Sequence, residues 1–178
     1  MAKPRPSTPQ AAPPVQQLVV RYAKRGKMRF ASHLDVARAF ERGVRRAGLP
    51  IAFSSGFNPH PKISYAGGAP TGVASEAEYL SLGLSSRSDA EAVREQLNAA
   101  LPDGIEVIDV TEREGGLPTS QLTASEWLVT LPGLPPQAVA PAVEAFLALE
   151  HAPVERRGLP RLELNIWPYQ VTEGHRKA

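Results

Sequence analysis

The clearest candidates for catalytic or binding residues in this chain are two histidines in its basic N-terminal part. His33 directly follows Ser32 at the expected start of a helix, where free backbone N–H groups attract anions and disfavour a protonated imidazole. A neutral histidine in that position can act as a base or donate to a phosphate oxygen. The alternative, which we favour on sequence grounds, is a partly buried histidine with a local hydrogen bond.

His60 lies between two prolines in the segment Asn58–Lys62, followed closely by Lys62. The prolines stiffen the backbone, so His60 and Lys62 are presented in a fixed pose. Such a pose suits a binding loop and equally suits a structural turn, and the sequence leaves both open. If folding brings Ser32–His33 and His60–Lys62 together, metal-independent cleavage of RNA is a hypothesis, with one imidazole acting as the base.

Basic residues interleaved with aromatic ones are a broader signal. One group, around Tyr22 and Phe30, comprises Arg21, Lys24, Arg25, Lys27 and Arg29, and the following helix adds Arg38, Arg42, Arg45 and Arg46. Cations bind phosphates, and aromatic rings stack on unpaired bases, so the combination favours nucleic acid or another polyanion. A solvated basic face is the alternative.

The charge is divided unevenly along the chain. Residues 1–65 hold twelve Lys and Arg and two acids, a net charge of +10, whereas residues 66–178 hold eight bases and 16 acids, a net charge of −8. Either the acidic part neutralises the basic part, or the basic part binds an external polyanion. Both interpretations can hold together.

Composition and motif searches exclude several classes of site. With no cysteine, the chain has no disulfides, thiolate nucleophiles, zinc–thiolate sites or iron–sulfur cluster held by its own side chains. It also lacks a P-loop, a dinucleotide-binding glycine pattern, HExxH and GxSxG. No apolar run approaches the roughly 20 residues of a membrane span, and Met1–Pro14 lacks the apolar core of a signal peptide. We therefore expect a cytoplasmic protein.

The local patterns predict the elements that position these residues. A strand or two-strand ribbon is expected over Gln17–Phe30, followed by a helix that Ser32 and Asp35 cap and that Gly48 and Pro50 end. Three strands are then expected, at Ile51–Ser54, Ile63–Ala66 and Ala77–Leu84. A second helix, opened by Ser88 with Glu91, precedes a last strand at Ile105–Val110. Val36, Ala37, Phe40, Val44 and Ala47 form the expected buried stripe of the first helix. The order β-α-β-β-α-β predicts an α+β, ferredoxin-like unit with both helices on one face of the sheet.

The rest of the chain predicts a partial second β-α-β unit. Its elements are a strand at Glu126–Leu131, a helix at Pro136–Glu150 and a strand at Arg161–Trp167. The expected division is a disordered proline-rich leader over 1–15, the ferredoxin-like basic domain over 16–114, a linker over 115–121, the partial unit over 122–170 and a tail over 171–178. His151 and His175, expected in a helix end and in the tail, receive no role.

Extended strings in the chain resemble a known family. Met28–Asp35 (MRFASHLD), Phe53–Ser64 (FSSGFNPHPKIS) and Glu78–Leu80 are similar to the radical-SAM-linked protein family over about residues 17–150. The resemblance implies fusion to, or encoding beside, a radical SAM protein that often has a cobalamin-binding region, and hence an accessory or substrate-presenting role. It supplies no catalytic residues. Because the chain has no cysteine, we expect any iron–sulfur cluster to belong to the partner, which would also carry SAM and cobalamin, and we expect this chain to bind no cofactor or metal.

The sequence thus favours a non-catalytic module that presents RNA or another anionic substrate to a radical SAM enzyme. The residues expected to bind the substrate are Arg25, Lys27, Arg29, His33, Arg42, Arg45, His60 and Lys62. One alternative is a metal-independent endoribonuclease that uses His33 and His60, similar at the level of fold to the ferredoxin-like RAMP endoribonucleases. Another is a protein–protein adaptor that binds no nucleic acid. The oligomeric state stays open.

Overall fold

A four-stranded antiparallel sheet organises the first part of the computed structural model, which describes residues 11–117, 122, 126–129, 133–154 and 162–165. The chain divides into two units, Met1–Ser125 and Glu126–Ala178. The elements of the first unit are β1 (Gln16–Lys24), a 3-10 helix (Gly26–Phe30), α1 (His33–Arg46), β2 (Ile63–Tyr65), β3 (Ser75–Leu84), α2 (Ala90–Ala100) and β4 (Ile105–Glu112), and the strands lie in the order β2-β3-β1-β4. The α+β prediction is confirmed.

One face of this sheet is buried against α1 and α2. Alternate residues of the central strands point to it, because successive side chains of a strand face opposite ways. They pack with apolar residues of the two helices, and the shared core includes Leu18, Val20, Tyr22, Val36, Phe40, Val44, Leu80, Leu82, Leu84, Val93 and Leu97. The rings of Tyr22 and Phe40 meet edge to face, with centroids 4.7 Å apart. Burial raises the pKa of the Tyr22 hydroxyl far above its usual value.

The intervening residues of β1 and β3 point to the opposite face of the sheet. They meet as the cross-strand pairs Gln17–Gly83, Val19–Ser81 and Arg21–Tyr79. The edge strand β4 adds Thr111 and Asp109 to this face and carries one extra residue, Ile108, as a bulge opposite Arg21 and Tyr22. The face is thus lined largely by polar and small side chains, unlike the face under the helices.

The predicted start of α1 is confirmed. Ser32 Oγ accepts from the Asp35 N–H at 3.2 Å, and Asp35 Oδ2 accepts from the Ser32 N–H at 3.3 Å, which completes a capping box. The hydrogen bonds from the Ser32 hydroxyl and backbone hold the pKa of Asp35 below its usual value. Val36, Phe40 and Val44 of the expected stripe are buried, and Ala37 and Ala47 are partly so. The chain leaves the helix through Gly48, whose φ of +67° favours glycine.

Three local predictions in the first unit need correction. The expected strand or ribbon over Gln17–Phe30 is a strand only to Lys24, since Gly26–Phe30 forms a 3-10 helix. The expected strand Ile51–Ser54 is reduced to isolated bridges at Ile51 and Phe53. The expected capping box of Ser88 with Glu91 is displaced by one residue, because Asp89 caps α2 by accepting from the Ala92 N–H at 2.9 Å.

The second unit contains α3 (Pro136–Leu147), β5 (His151–Val154) and β6 (Leu162–Asn165). The helix prediction is confirmed over most of its length, and Pro141 lies inside it. The expected order β-α-β is not what the described residues show: 126–129 are not a strand, and α3 is followed by an antiparallel pair, β5 and β6. His151 opens β5 rather than ending the helix.

Two further observations concern the chain as a whole. Among the residues that the structure describes, no helix combines the length and the apolar character needed to cross a membrane. The predicted leader up to residue 10 and the predicted tail over 171–178 lie outside the described residues.

Candidate nucleic-acid interface

The solvent-facing side of α1 carries a row of arginines that we call the outer face of α1, namely Arg38, Arg42 and Arg45. Their spacing of four and three residues places them on one side of the helix, away from the buried stripe. All three are exposed. Arg38 Nη1 lies 3.8 Å from Asp35 Oδ1, whereas Arg42 and Arg45 make no ion pair with any described residue. The guanidinium groups of Arg42 and Arg45 are therefore available to an external anion.

Arg25, at the end of β1, is instead engaged within the chain. Its guanidinium donates to Glu76, with Nε 2.7 Å from Oε1, and to Glu106. The hydrogen bond from Arg25 lowers the pKa of Glu76, and the two carboxylates raise the pKa of Arg25. Both acids come from the acidic part of the chain, so at this position the basic and acidic parts do neutralise one another.

Lys27 and Arg29 lie in the 3-10 helix that links β1 to α1. Both are exposed. The Arg29 guanidinium lies 4.6 Å from the centroid of the Phe30 ring, and Phe30 is 59% exposed. Stacking on an aromatic face leaves the edge of a guanidinium free to bind a phosphate. Arg29 and Phe30 are therefore placed so that the cation can bind a phosphate and the ring can stack on a base.

His33, the first residue of α1, is exposed and forms an edge-on contact with Tyr65, the ring centroids lying 5.2 Å apart. A Cβ at Gly68 would lie 2.9 Å from His33 Nδ1 and 3.8 Å from Glu78 Oε2. The imidazole, the glycine backbone and the carboxylate therefore converge. No hydrogen bond to His33 is present among the described residues, which differs from the locally bonded, partly buried histidine that the sequence favoured.

Sequence reasoning missed the groups that hold this corner together. Both carboxylate oxygens of Glu78 accept from the Ala69 N–H, at 3.2 and 3.1 Å, and Lys24 Nζ donates to the Ala69 oxygen at 3.0 Å. Lys24 is only 4% exposed, so it is not a surface cation. The sequence does indicate the burial of Lys24, because side chains alternate along a strand and Lys24 follows the inward-facing Val20 and Tyr22 at intervals of two residues.

The second predicted group, His60 and Lys62, belongs to a loop at the other end of the sheet. The His60 N–H donates to Ser54 Oγ at 3.0 Å, and the His60 oxygen accepts from the Ser54 N–H at 2.8 Å, leaving the imidazole exposed. The Lys62 oxygen accepts from the Gly83 N–H at 2.9 Å. Backbone hydrogen bonds thus tie this loop to Ser54 and to β3.

The fold keeps His33 and Lys62 apart. His33 lies near Glu78, and Lys62 lies beside Gly83, five residues further along β3, which corresponds to about 16 Å of strand. Glu78 also faces the helices, whereas Gly83 faces the opposite side. The juxtaposition on which the ribonuclease hypothesis was conditioned is therefore not observed.

Within the described ranges, no group of three or more His, Asp or Glu side chains is placed to hold a metal ion. The candidate interface is thus formed by cations and exposed rings alone. Arg25 is paired within the chain, and His33 lies in a separate corner. The other predicted residues form no ion pair with a described residue, namely Lys27, Arg29, Arg42 and Arg45 near α1 and His60 and Lys62 in the separate loop.

No curated protein matches the chain. A family model described as an uncharacterized protein conserved in bacteria (DUF2344) matches residues 17–171, which include all of β1 to β6 except the first residue of β1. Its description names no reaction, ligand or partner. Because the match covers most of the sequence, the chain belongs to the DUF2344 family of bacterial proteins.

Proposed function

We propose that this protein is a non-catalytic accessory module that holds RNA or a similar polyanion for a partner radical SAM enzyme. The observation that carries the proposal is the outer face of α1, where Arg42 and Arg45 are exposed and unpaired among the described residues while the acidic part of the chain engages Arg25. The radical SAM partner rests on the resemblance of the SHLD and GFNPHPKIS strings.

The chemistry of these side chains suits phosphate. A guanidinium presents its donors in a planar fork that matches two oxygens of a phosphate, and it stays charged at any physiological pH. Arginines that neutralise phosphates release the counterions condensed on the polymer, so affinity falls as salt rises. Arg29 with Phe30 offers a ring and a cation together, which is the combination that binds unpaired nucleotides.

We also propose that the first unit is ferredoxin-like. Support comes from the element order β-α-β-β-α-β together with the strand order β2-β3-β1-β4, in which every pair of neighbours is antiparallel. This architecture holds both helices on one side of the sheet and leaves two distinct surfaces for a substrate and a partner.

In this proposal the partner carries the reactive groups. The chain has no cysteine with which to ligate an iron–sulfur cluster, so the cluster, SAM and any cobalamin would reside in the radical SAM protein. The present chain would supply orientation and electrostatic attraction, and the pair would work in the cytoplasm.

The test is binding of the full chain to labelled total tRNA and to a single-stranded RNA across a salt series. A double variant, Arg42→Gln with Arg45→Gln, is compared with Arg87→Gln plus Arg94→Gln, which removes the same charge from arginines paired to Glu112 and Glu91. The first variant is expected to weaken binding and to reduce the salt slope by about 2, with a smaller effect of the second. Equal losses, or no binding at low salt, would reject the proposal.

The same material separates the two alternatives. Cleavage by the wild type that disappears in His33→Ala/His60→Ala, with RNA binding retained, would establish the endoribonuclease instead, and an uncleaved substrate removes it. Absence of RNA binding at any salt concentration leaves the protein–protein adaptor, for which the outer face of α1 would meet an acidic protein surface.

A further inference from the structure

A cleft of about 440 Å³ opens on the face of the sheet opposite the helices, within the unit Met1–Ser125. Its lining includes Pro14, Gln17, Lys62, Ser64, Ser81 and Leu117. None of these residues belongs to the outer face of α1 or to the corner around His33. The volume lies in the range of small-molecule sites.

An unsatisfied acceptor lies at one side of the cleft. Gln17 Oε1 is buried and receives no hydrogen bond from any described residue. It lies against the backbone of Gly116, where a Cβ would be 3.4 Å from the oxygen and 3.9 Å from Ser81 Oγ. Buried amide oxygens are nearly always paired, so this one calls for a donor that the chain itself does not provide. The Gly116 backbone lies against this oxygen, so a ligand donor reaches it only if Gly115–Gly116 shifts.

A cation lies at the other side. Lys62 is the one charged residue among those of the described chain that line the cleft. Its Cβ lies beside Gly83, and Gly83 pairs with Gln17 across β3 and β1. Lys62 and Gln17 are thus about two strand spacings apart, roughly 10 Å. A ligand that reaches both needs an N–H donor at one end and a negative charge at the other.

The middle of the cleft is suited to a flat ring and a sugar. Ser64 and Ser81 are direct cross-strand partners and supply two hydroxyls. Pro14 and Leu117 supply apolar surface, and the Pro14 ring packs over Gly83, where a Cβ would lie 3.0 Å from Pro14 Cγ. No acid lines the cleft among the described residues, so an anionic group meets no repulsion there.

We propose that this cleft binds a nucleoside monophosphate unit. Base N–H groups donate to Gln17 Oε1, the serine hydroxyls bond the sugar or the base edge, and Lys62 binds the phosphate. The unit can be a free nucleotide or one nucleotide of an RNA strand, since both present the same groups. The proposal stands independently of the RNA contact at Arg42 and Arg45.

The first experiment titrates the full chain with the four ribonucleoside 5′-monophosphates, with the matching nucleosides and with inorganic phosphate, by calorimetry. Lys62→Met is compared with Arg94→Met, which also removes one positive charge, from a residue of α2 that is paired with Glu91 and does not line the cleft. We expect Lys62→Met to weaken monophosphate binding by roughly tenfold, the loss of one charge-assisted contact, while nucleoside binding and the Arg94→Met variant stay within about twofold of wild type.

A second variant tests the amide. Gln17→Met keeps the length of the side chain but removes the acceptor, and it is expected to weaken the binding of nucleosides and monophosphates alike. If this variant does not fold, as judged by circular dichroism, the Lys62→Met comparison decides alone. Lack of saturation by every monophosphate, binding that is indifferent to Lys62→Met, or phosphate alone binding as well as the nucleotides would each overturn the proposal.

A final arm distinguishes the two sources of the ligand. A short single-stranded RNA that displaces the monophosphate from both the wild type and the Arg42→Gln/Arg45→Gln variant identifies a strand-borne nucleotide. Monophosphate binding that RNA leaves unchanged identifies a free nucleotide. Failure at the outer face of α1 and failure at the cleft are thus read from different variants.

Discussion

The end of β1 and the outer face of α1 both concentrate basic residues, yet the fold treats them in opposite ways. At the end of β1, Lys24 is buried and donates to a backbone oxygen, and Arg25 is held by two glutamates. On the outer face, Arg42 and Arg45 are exposed and form no ion pair with any described residue, and Arg42 interacts with Asp35 only at longer range. A count of charges along the sequence cannot distinguish these cases, because cations that satisfy the chain's own acceptors do not attract an external polyanion.

The end of β1 and the outer face of α1 also differ in how they are packed. The end of β1 lies over a packed core in which Tyr22 meets Phe40, whereas the outer face of α1 is one helix side in water. Substitutions in the core beneath the end of β1 should therefore change stability, and substitutions on the outer face of α1 should change binding. Three experiments examine that division.

The largest effect is expected from Phe40→Ala. Phe40 is fully buried against Tyr22, and removing a buried phenyl ring from a core typically costs about 3–5 kcal/mol in unfolding free energy. Arg42→Ala, two residues further along the same helix but exposed, serves as the control and should change stability by no more than about 0.5 kcal/mol. Urea unfolding followed by circular dichroism measures both, and similar losses in the two variants would contradict the division.

Ser32→Ala should have an intermediate effect. The change removes the capping box of α1 and is expected to cost about 1 kcal/mol near neutral pH. Hydrogen bonds from Ser32 lower the pKa of Asp35 in the folded state, so the stabilisation linked to this carboxylate is complete above its unfolded value of 3.8 and is lost as pH falls through the lowered folded pKa.

The stability difference between wild type and Ser32→Ala should accordingly shrink as the pH is taken from neutrality to well below 3.8. Unfolding curves recorded over that range check the trend. A difference that stays constant down to the lowest pH would show that Asp35 does not take part in the cap. Asp89→Ala, which removes the cap of α2 instead, provides the comparison.

The smallest effect is expected from Arg25→Gln. Because Glu76 and Glu106 already neutralise this guanidinium, its loss should alter RNA affinity much less than Arg42→Gln does, although both remove one positive charge. Stability should change little, since both ion pairs are exposed to solvent. Equal reductions in RNA affinity for the two variants would mean that net charge alone governs binding.

The parts of the fold that the sequence predicts are those set by local chemistry. Ser32 and Asp35 predict the start of α1, and the spacing of Val36, Phe40 and Val44 predicts its buried side. The 3-10 helix Gly26–Phe30 escaped prediction because its alternating bases and apolar residues also suit a strand. The order of elements in the second unit escaped it because short apolar segments such as 126–129 and His151–Val154 carry no distinguishing period.

The candidate site is predictable by residue type but not by pairing. Arg25 and its partners Glu76 and Glu106 are separated by 51 and 81 residues in sequence, so only the register of β1 with β3 and β4 brings them together. Likewise the residues around Gln17 in the sequence do not indicate that its amide oxygen lacks a donor, because that depends on its contact with Gly116, which is distant in the sequence.

The bulged edge strand β4 has a consequence for behaviour at high concentration. An eight-residue strand at the rim of a sheet offers unpaired backbone groups to any neighbouring molecule, which is how edge-to-edge aggregation begins. In β4 the extra residue Ile108 interrupts the regular row, and Glu106, Asp109 and Glu112 are all exposed along it. Glu106 and Glu112 are paired with Arg25 and Arg87, so the bulge and the exposed Asp109 are the features that disfavour regular pairing of two copies along this edge.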